Sequence, residues 1–133
     1  MTTRELCDRI IAKDSWFIPV APIVPYQKQV VYISGPYTKG DVSQNVRNAC
    51  YAANEVLRIG HIPFVPHLTH LWHLITPKPY EEWLEIDFAL IPKMDAMLRL
   101  PGESKGADRE VELARSLGIP VYYSIREIQD ARD

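Results

Sequence analysis

The stretch Ala96-Met97-Leu98-Arg99-Leu100-Pro101-Gly102-Glu103-Ser104-Lys105-Gly106-Ala107-Asp108-Arg109-Glu110 decides the fold. Ala96 to Leu100 is an apolar run of strand length, and Pro101 to Gly106 is a loop of small and turn-forming residues. Val111, Ala114 and Leu117 then recur at helical spacing, and Gly118 closes that pattern. The unit is strand, loop, helix, with the helix expected over 107–117. The opening of a helix offers unpaired backbone N–H groups and a partial positive charge, so phosphate and sugar oxygens bind there. Glu110 falls in the first turn on this reading. A glutamate there is expected to stay ionised, which equips it as a nucleophile. First-turn glutamates also serve only to complement the helix dipole, and that reading stays open.

Working outward, the same unit repeats. Val30-Val31-Tyr32-Ile33 is a β-branched run that ends at Ser34-Gly35-Pro36. Val46, Ala49, Cys50, Ala53 and Leu57 form a helical stripe closed by Gly60. Ile62-Pro63-Phe64-Val65 reads as a second strand, weakened by its proline, and 80–91 as a helix. Ile119-Pro120-Val121-Tyr122-Tyr123 is a fourth strand, followed by a short helix at 124–131. Alternating strands and helices with short links predict an α/β domain: a single Rossmann- or flavodoxin-like three-layer fold with a parallel sheet of four to five strands. Ligands in such folds bind beyond the carboxyl ends of the strands, which singles out the loops 34–42, 66–79 and 101–109. Residues 1–27, with a helical pattern at 2–12 and three prolines among Pro19, Pro22 and Pro25, read as an N-terminal extension to a domain at 28–133.

The bulk properties narrow the function. The 133 residues are 47% hydrophobic and 24% charged with a net charge of −2, as expected for one globular domain and not for a surface that binds nucleic acid. Cys7 and Cys50 have no metal-type spacing. No apolar run is long enough for a membrane span and no signal peptide is visible, so the expected location is cytoplasmic. Gly35 and Gly40 stand at P-loop spacing, but Asp41 and Val42 occupy the positions that need Lys and Ser or Thr. No GxGxxG follows the first strand, and no cofactor is expected.

Asp87 is the second candidate. Trp83, Ile86 and Leu90 share its helical face, so the aspartate lies within an apolar stripe. Burial raises a carboxyl pKa, and a protonated carboxyl is a general acid. The alternative is that Asp87 pairs with an arginine or caps a loop. Two carboxylates in opposed environments are a stronger signal than either alone. His67, His70 and His73 have poor spacing for one metal ion on a helix, and the prolines at 66 and 77 suggest a loop with one helical turn. His67 is therefore read as a side chain contacting a bound base or as part of an ordinary packed loop, not as a metal ligand. Tyr37, Thr38 and Arg109 sit where hydroxyls and a guanidinium would meet a phosphate, whereas Lys39, Arg47 and Arg58 read as solvated charges.

Three segments carry a resemblance. Val31-Tyr32-Ile33-Ser34-Gly35-Pro36, the Asp87 to Asp95 spacing, and Ser104-x-Gly106-x-x-x-Glu110 resemble the nucleoside 2-deoxyribosyltransferase superfamily over residues 29–123. Within it the chain is similar to the nucleoside 5′-monophosphate N-glycosidases, which include 2′-deoxynucleoside 5′-phosphate N-hydrolase. It is also similar to small bacterial and phage domains of the DUF4406 type, with the patterns ISGPY and LPGxSxGADxE. The resemblance implies that Glu110 attacks C1′ of the sugar, that Asp87 protonates the leaving base, and that the Tyr32 hydroxyl orients Glu110. It implies that Ser104 contacts a 5′-phosphate, with Gly106 in the same loop and Ser34, Gly35 and Pro36 lining the substrate side of the first. It also implies a homodimer or larger homo-oligomer. Two positions depart from the family pattern: Asp108 replaces a small residue two before the nucleophile, and the first loop lacks the family's basic residue. The resemblance leaves base release, transfer to a second base, non-catalytic nucleotide sensing, and a structural protein with a relic site as the readings to separate.

Overall fold

The computed structural model describes residue 2 and residues 28–132, so the expected extension, apart from Thr2, lies outside the described residues. The elements run β1 (Val30–Ser34), α1 (Val42–Arg58), β2 (Ile62–Phe64), a 3-10 turn (Pro66–Thr69), α2 (His70–Ile75), α3 (Tyr80–Leu90), a 3-10 turn (Ile91–Lys93), β3 (Ala96–Arg99), α4 (Lys105–Ser116), β4 (Val121–Tyr122) and α5 (Ile125–Arg132). All strand pairings are parallel, in the order β2-β1-β3-β4. The fold is the expected α/β three-layer domain, with four strands. None of the described helices is long and apolar enough to cross a membrane.

The pleat sorts the core into two layers. Val31, Ile33, Ala96 and Leu98 point to one face and pack with Ala49 and Val56 of α1 and Ile128 of α5. Tyr32 and Met97 point to the other, against Ile91 and against Val111 and Ala114 of α4, with Phe88 of α3 beside them. Each side chain of β1 from Val31 to Ser34 is fully buried, as a central strand covered on both faces requires. Pro63 is accommodated because β2 is an edge strand, where a missing backbone donor costs no ladder bond on the open side.

The chain leaves β1 toward α1 on one face and leaves β3 toward α4 on the other. This reversal between adjacent strands opens a crevice at their carboxyl ends. The two exits are stitched together, since Leu100 N–H donates to the Ser34 carbonyl at 2.7 Å. A Cβ on Gly35 would come within 3.0 Å of Leu100, so the close approach of the two loops depends on glycine there.

Two helices begin upstream of their apolar stripes, one of them upstream of its expected start. α1 begins at Val42, four residues before its first expected apolar position, because Asp41 caps it by accepting from Gln44 N–H at 3.2 Å. α4 begins at Lys105, not 107, because Ser104 is its N-cap and accepts from Ala107 N–H at 3.1 Å. Capping by a polar side chain extends a helix upstream of its apolar stripe, where hydrophobic periodicity carries no signal. The fourth strand shrinks to Val121–Tyr122, and the 66–75 segment holds a 3-10 turn followed by a six-residue helix.

Gly102 has φ +113°, and a Cβ there would come within 2.8 Å of Pro36 Cγ. We expect Gly102→Ala to lose more stability than Asp41→Ala, whose missing cap costs about 1 kcal/mol. Urea unfolding of the two variants beside the parent chain measures both.

Candidate functional site

Strand alternation places Tyr32 and Ser34 on the same face of β1, two residues apart. Both hydroxyls donate to one carboxylate: Tyr32 Oη to Glu110 Oε2, and Ser34 Oγ to Glu110 Oε1 at 2.9 Å. Glu110 is only 6% exposed. Asp87, on α3, completes the cluster, in polar contact with both Tyr32 and Glu110. Its side-chain partners here are those two and not an arginine. Phe64 stacks on the Tyr32 ring with centroids 5.8 Å apart and holds it in the layer.

The electrostatics correct one expectation. Because α4 begins at Lys105, Glu110 lies in its second turn, and Asp108 is the acidic residue of the first. The helix end therefore acts weakly on Glu110, since its field falls off within one turn. Burial dominates and pushes the Glu110 carboxyl up to about 7; the hydroxyls of Tyr32 and Ser34 and the charge of Arg99 pull the other way, and Asp87 adds to the rise. Asp87 is pushed up to about 6, also by burial. The two carboxyls thus share one environment instead of occupying opposed ones. Desolvation, reinforced by both carboxylates, raises the Tyr32 phenol so far that it remains a neutral donor.

The other expected residues divide. Ser34 is fully buried and its hydroxyl is engaged with Glu110, so it supports the carboxylate from beneath. Gly35 is buried under Leu100, and the Pro36 carbonyl pairs with His67 Nε2 at 3.0 Å. His67 is itself buried, which lowers its pKa and keeps the ring neutral, and its Nδ1 has no hydrogen-bond partner among the described residues. The Tyr37 hydroxyl pairs with His70 Nδ1, and the ring stands edge-on to both His67 and His70. His73 Nδ1 accepts from the Trp83 indole at 2.8 Å. The three histidines thus brace three local contacts, and among the described residues no group of three or more His, Cys, Asp or Glu is placed to hold a metal. Thr38 and Arg109 are exposed. Ser104 uses its oxygen as an acceptor for the helix cap, which leaves its own proton for another acceptor.

Two residues of the site were missed by sequence reasoning. Tyr80, about half exposed at the start of α3, rests its hydroxyl where a Cβ on Gly106 would lie only 2.6 Å away. It is electrostatically coupled to Arg109, Glu110 and Asp87. Tyr80 and Asp87 share one face of α3 at i and i+7, a signal the sequence did contain. Arg99 is the second. Its guanidinium is buried at the end of β3 and pairs with Asp108 at 3.1 Å. The signal was a cation inside an otherwise apolar strand. A groove of about 670 Å³ bounded by Arg99, Gly102, Asp108, Glu112, Arg115 and Tyr123 runs along a different face of α4 from the one that carries Glu110.

Comparison with known proteins fits this architecture. The model of a family described as a domain of unknown function (DUF7768) matches residues 29–124. No curated protein sequence matches the chain. Among solved structures, a 2-deoxyribosyltransferase from the psychrotolerant bacterium Bacillus psychrosaccharolyticus shares the fold, with a TM-score of 0.52, 20% identity and 69% of each chain covered.

A buried carboxyl whose folded pKa is raised contributes stability below its unfolded pKa, and that contribution is lost as pH rises through the folded value. For Glu110 the window runs from 4.5 to about 7. Glu110→Gln is therefore expected to match the parent at pH 4.5 and to be more stable at pH 8, by an amount on the order of 3 kcal/mol. Urea unfolding at the two pH values reads the difference.

Proposed function

The chain belongs to the DUF7768 family, and from that premise we propose that it cleaves the N-glycosidic bond of a nucleoside 5′-monophosphate or nucleoside and releases the free base. The observation that carries the reading is the buried Glu110 carboxylate, held on both oxygens by Tyr32 and Ser34 with Asp87 beside it. Two neighbouring carboxyls, one ionised and one protonated, are what a retaining glycosyl displacement needs. The fold shared with a 2-deoxyribosyltransferase supports it.

Glu110 attacks C1′ as the bond from C1′ to the base nitrogen breaks, and Asp87 delivers its proton to the departing base. The product of this step is a glycosyl ester on Glu110. Asp87, now a carboxylate, takes a proton from water as that water attacks C1′ and frees Glu110. Tyr32 and Ser34 hold the nucleophile with one lone-pair direction turned toward the sugar. If a second base takes the place of water, the same site is a transferase, and the named relative favours that as the second reading.

Ser104, Lys105 and Arg109 at the start of α4 suit a 5′-phosphate. Asp108, two residues before Glu110, pairs with Arg99, which offsets its negative charge beside this loop. The reading places the enzyme in cytoplasmic nucleotide metabolism as a homodimer or larger assembly. Leu68, Leu71, Leu74 and Ile75, each more than 60% exposed in one short segment, support self-association.

Chromatography of nucleosides and their monophosphates for free base tests the proposal. Glu110→Ala is expected to abolish base release while the protein still folds, and unchanged turnover in that variant overturns the reading. Asp87→Asn should slow release by roughly 10²–10⁴-fold, the usual worth of a general acid. A ligand bound unchanged with no base released favours a sensing module.

The pH profile is a further check. The reactive form carries one proton on the Glu110–Asp87 pair and holds it on Asp87; burial raises Glu110 more than Asp87, so this is the less populated of the two singly protonated arrangements and the rate is scaled by its fraction. Falling pH below about 6 adds a second and removes the nucleophile; rising pH above about 7 strips the last and removes the acid. The rate should be bell-shaped, with its maximum between these values. Activity that rises steadily to pH 9 contradicts the assignment.

A further inference from the structure

Arg99 is the one described charged side chain that is buried without belonging to the carboxylate cluster. In the sheet its Cα partner is Ser34, so the two side chains emerge side by side at the carboxyl ends of β3 and β1. The pleat directs both, with Tyr32 and Met97, to the face that α4 covers. Ser34 spends its hydroxyl on Glu110, and Arg99 lies next to it.

The guanidinium is fixed from several directions. It donates to the Leu100 carbonyl, to the Gly102 carbonyl at 2.9 Å, and to Asp108 Oδ1 at 3.1 Å. One planar group thus ties the turn at 100–102 to the first turn of α4, across the loop that leads to Glu110. A planar fork with five donors is suited to this, and an ammonium is not. The Asp108 side chain is 71% exposed while that of Arg99 is 9% exposed, so the carboxylate neutralises the cation only partly and from its solvent side.

We propose that Arg99 is a positioning residue of this site: it fixes the 100–108 loop over the crevice, and it supplies the positive charge, trimmed by Asp108, that Glu110 faces from the sheet. The inference rests on the reading of Glu110 as nucleophile for its consequence in catalysis, but not for its electrostatics. Glu110 is faced by Tyr32 from β1, by Asp87 and Tyr80 from α3, and by Arg99 from β3. Asp108 and Arg109 flank it on its own helix. Arg99 is the cation of this group that lies buried on the sheet side, and its pull on Glu110 is in the ionising direction.

The test is a carbon NMR titration of the full chain with carboxyl-labelled glutamate, the Glu110 signal being assigned by its loss in Glu110→Gln. Arg99→Met is expected to move the Glu110 midpoint up by about one pH unit, a tenfold change in the ionised fraction. Asp108→Asn is expected to move it down, because the cation is then unopposed. Arg99→Lys should hold the midpoint near that of the parent chain while amide exchange in 101–108 speeds up, since charge is kept and the fork is lost. The acid limb of the base-release profile should follow the same order.

Midpoints that do not move, or that move the same way in Arg99→Met and Asp108→Asn, overturn the proposal and leave Arg99 a structural brace. If Arg99→Met does not fold, Asp108→Asn decides alone, because its side chain is largely exposed. If the parent chain releases no base, the proposed function fails while the titration still decides the role of Arg99.

Discussion

Ionising one carboxyl inside the core is the constraint on which the arrangement depends. Glu110 sits among the buried residues of β1 and the helices that cover it, where charge is costly. The surroundings answer with a matched set of donors: one hydroxyl on each carboxylate oxygen, both from alternate positions of β1. Any shift of β1 by one residue would turn both donors to the opposite face, against α1 and α5. The register of the sheet and the protonation of the site are therefore one problem. The parallel pairing that sets Val31 against Ala96 and Ser34 against Arg99 also sets the donors, and the cation beside them, under α4.

The same economy explains the rigid loops. The crevice between β1 and β3 can form only where two chains leave in opposite directions, and their exits are close-packed. Gly35 under Leu100 and Gly102 against Pro36 permit that approach. The Ser34 carbonyl and the Arg99 guanidinium consume the polar groups it exposes. His67 performs the same service for the Pro36 carbonyl from the far side. Residues that look like ligand contacts from their place in the chain are here partly occupied in holding the loops that would meet the ligand.

How much was legible follows from the range of each interaction. Alternating strands and helices and the parallel sheet could be read because hydrophobic periodicity is local and repeats; Glu110 and Asp87 were singled out by their places in helical patterns, and Tyr32 by the family resemblance alone. The start of α4 was misplaced by two residues, because its cap is a single polar side chain upstream of the apolar stripe. That small error carried a large consequence: it put Glu110 in the first turn, under the helix dipole, when burial governs it. Arg99 went unremarked within an apolar run, although a lone cation at a strand position calls for a partner.

By itself, the sequence determined the layers, the order of elements and the place of Asp87 within an apolar helical stripe, since these depend on spacing along one segment. Only the tertiary structure decided that Ser34 supports Glu110, that Asp87 meets it from another helix, and that Arg99 answers Asp108. These are contacts between residues brought together by strand pairing and helix packing, across separations of up to 76 residues in the case of Ser34 and Glu110. Their energies depend on distance and burial, which no local pattern encodes, and burial, more than residue type, sets the charge on a carboxyl.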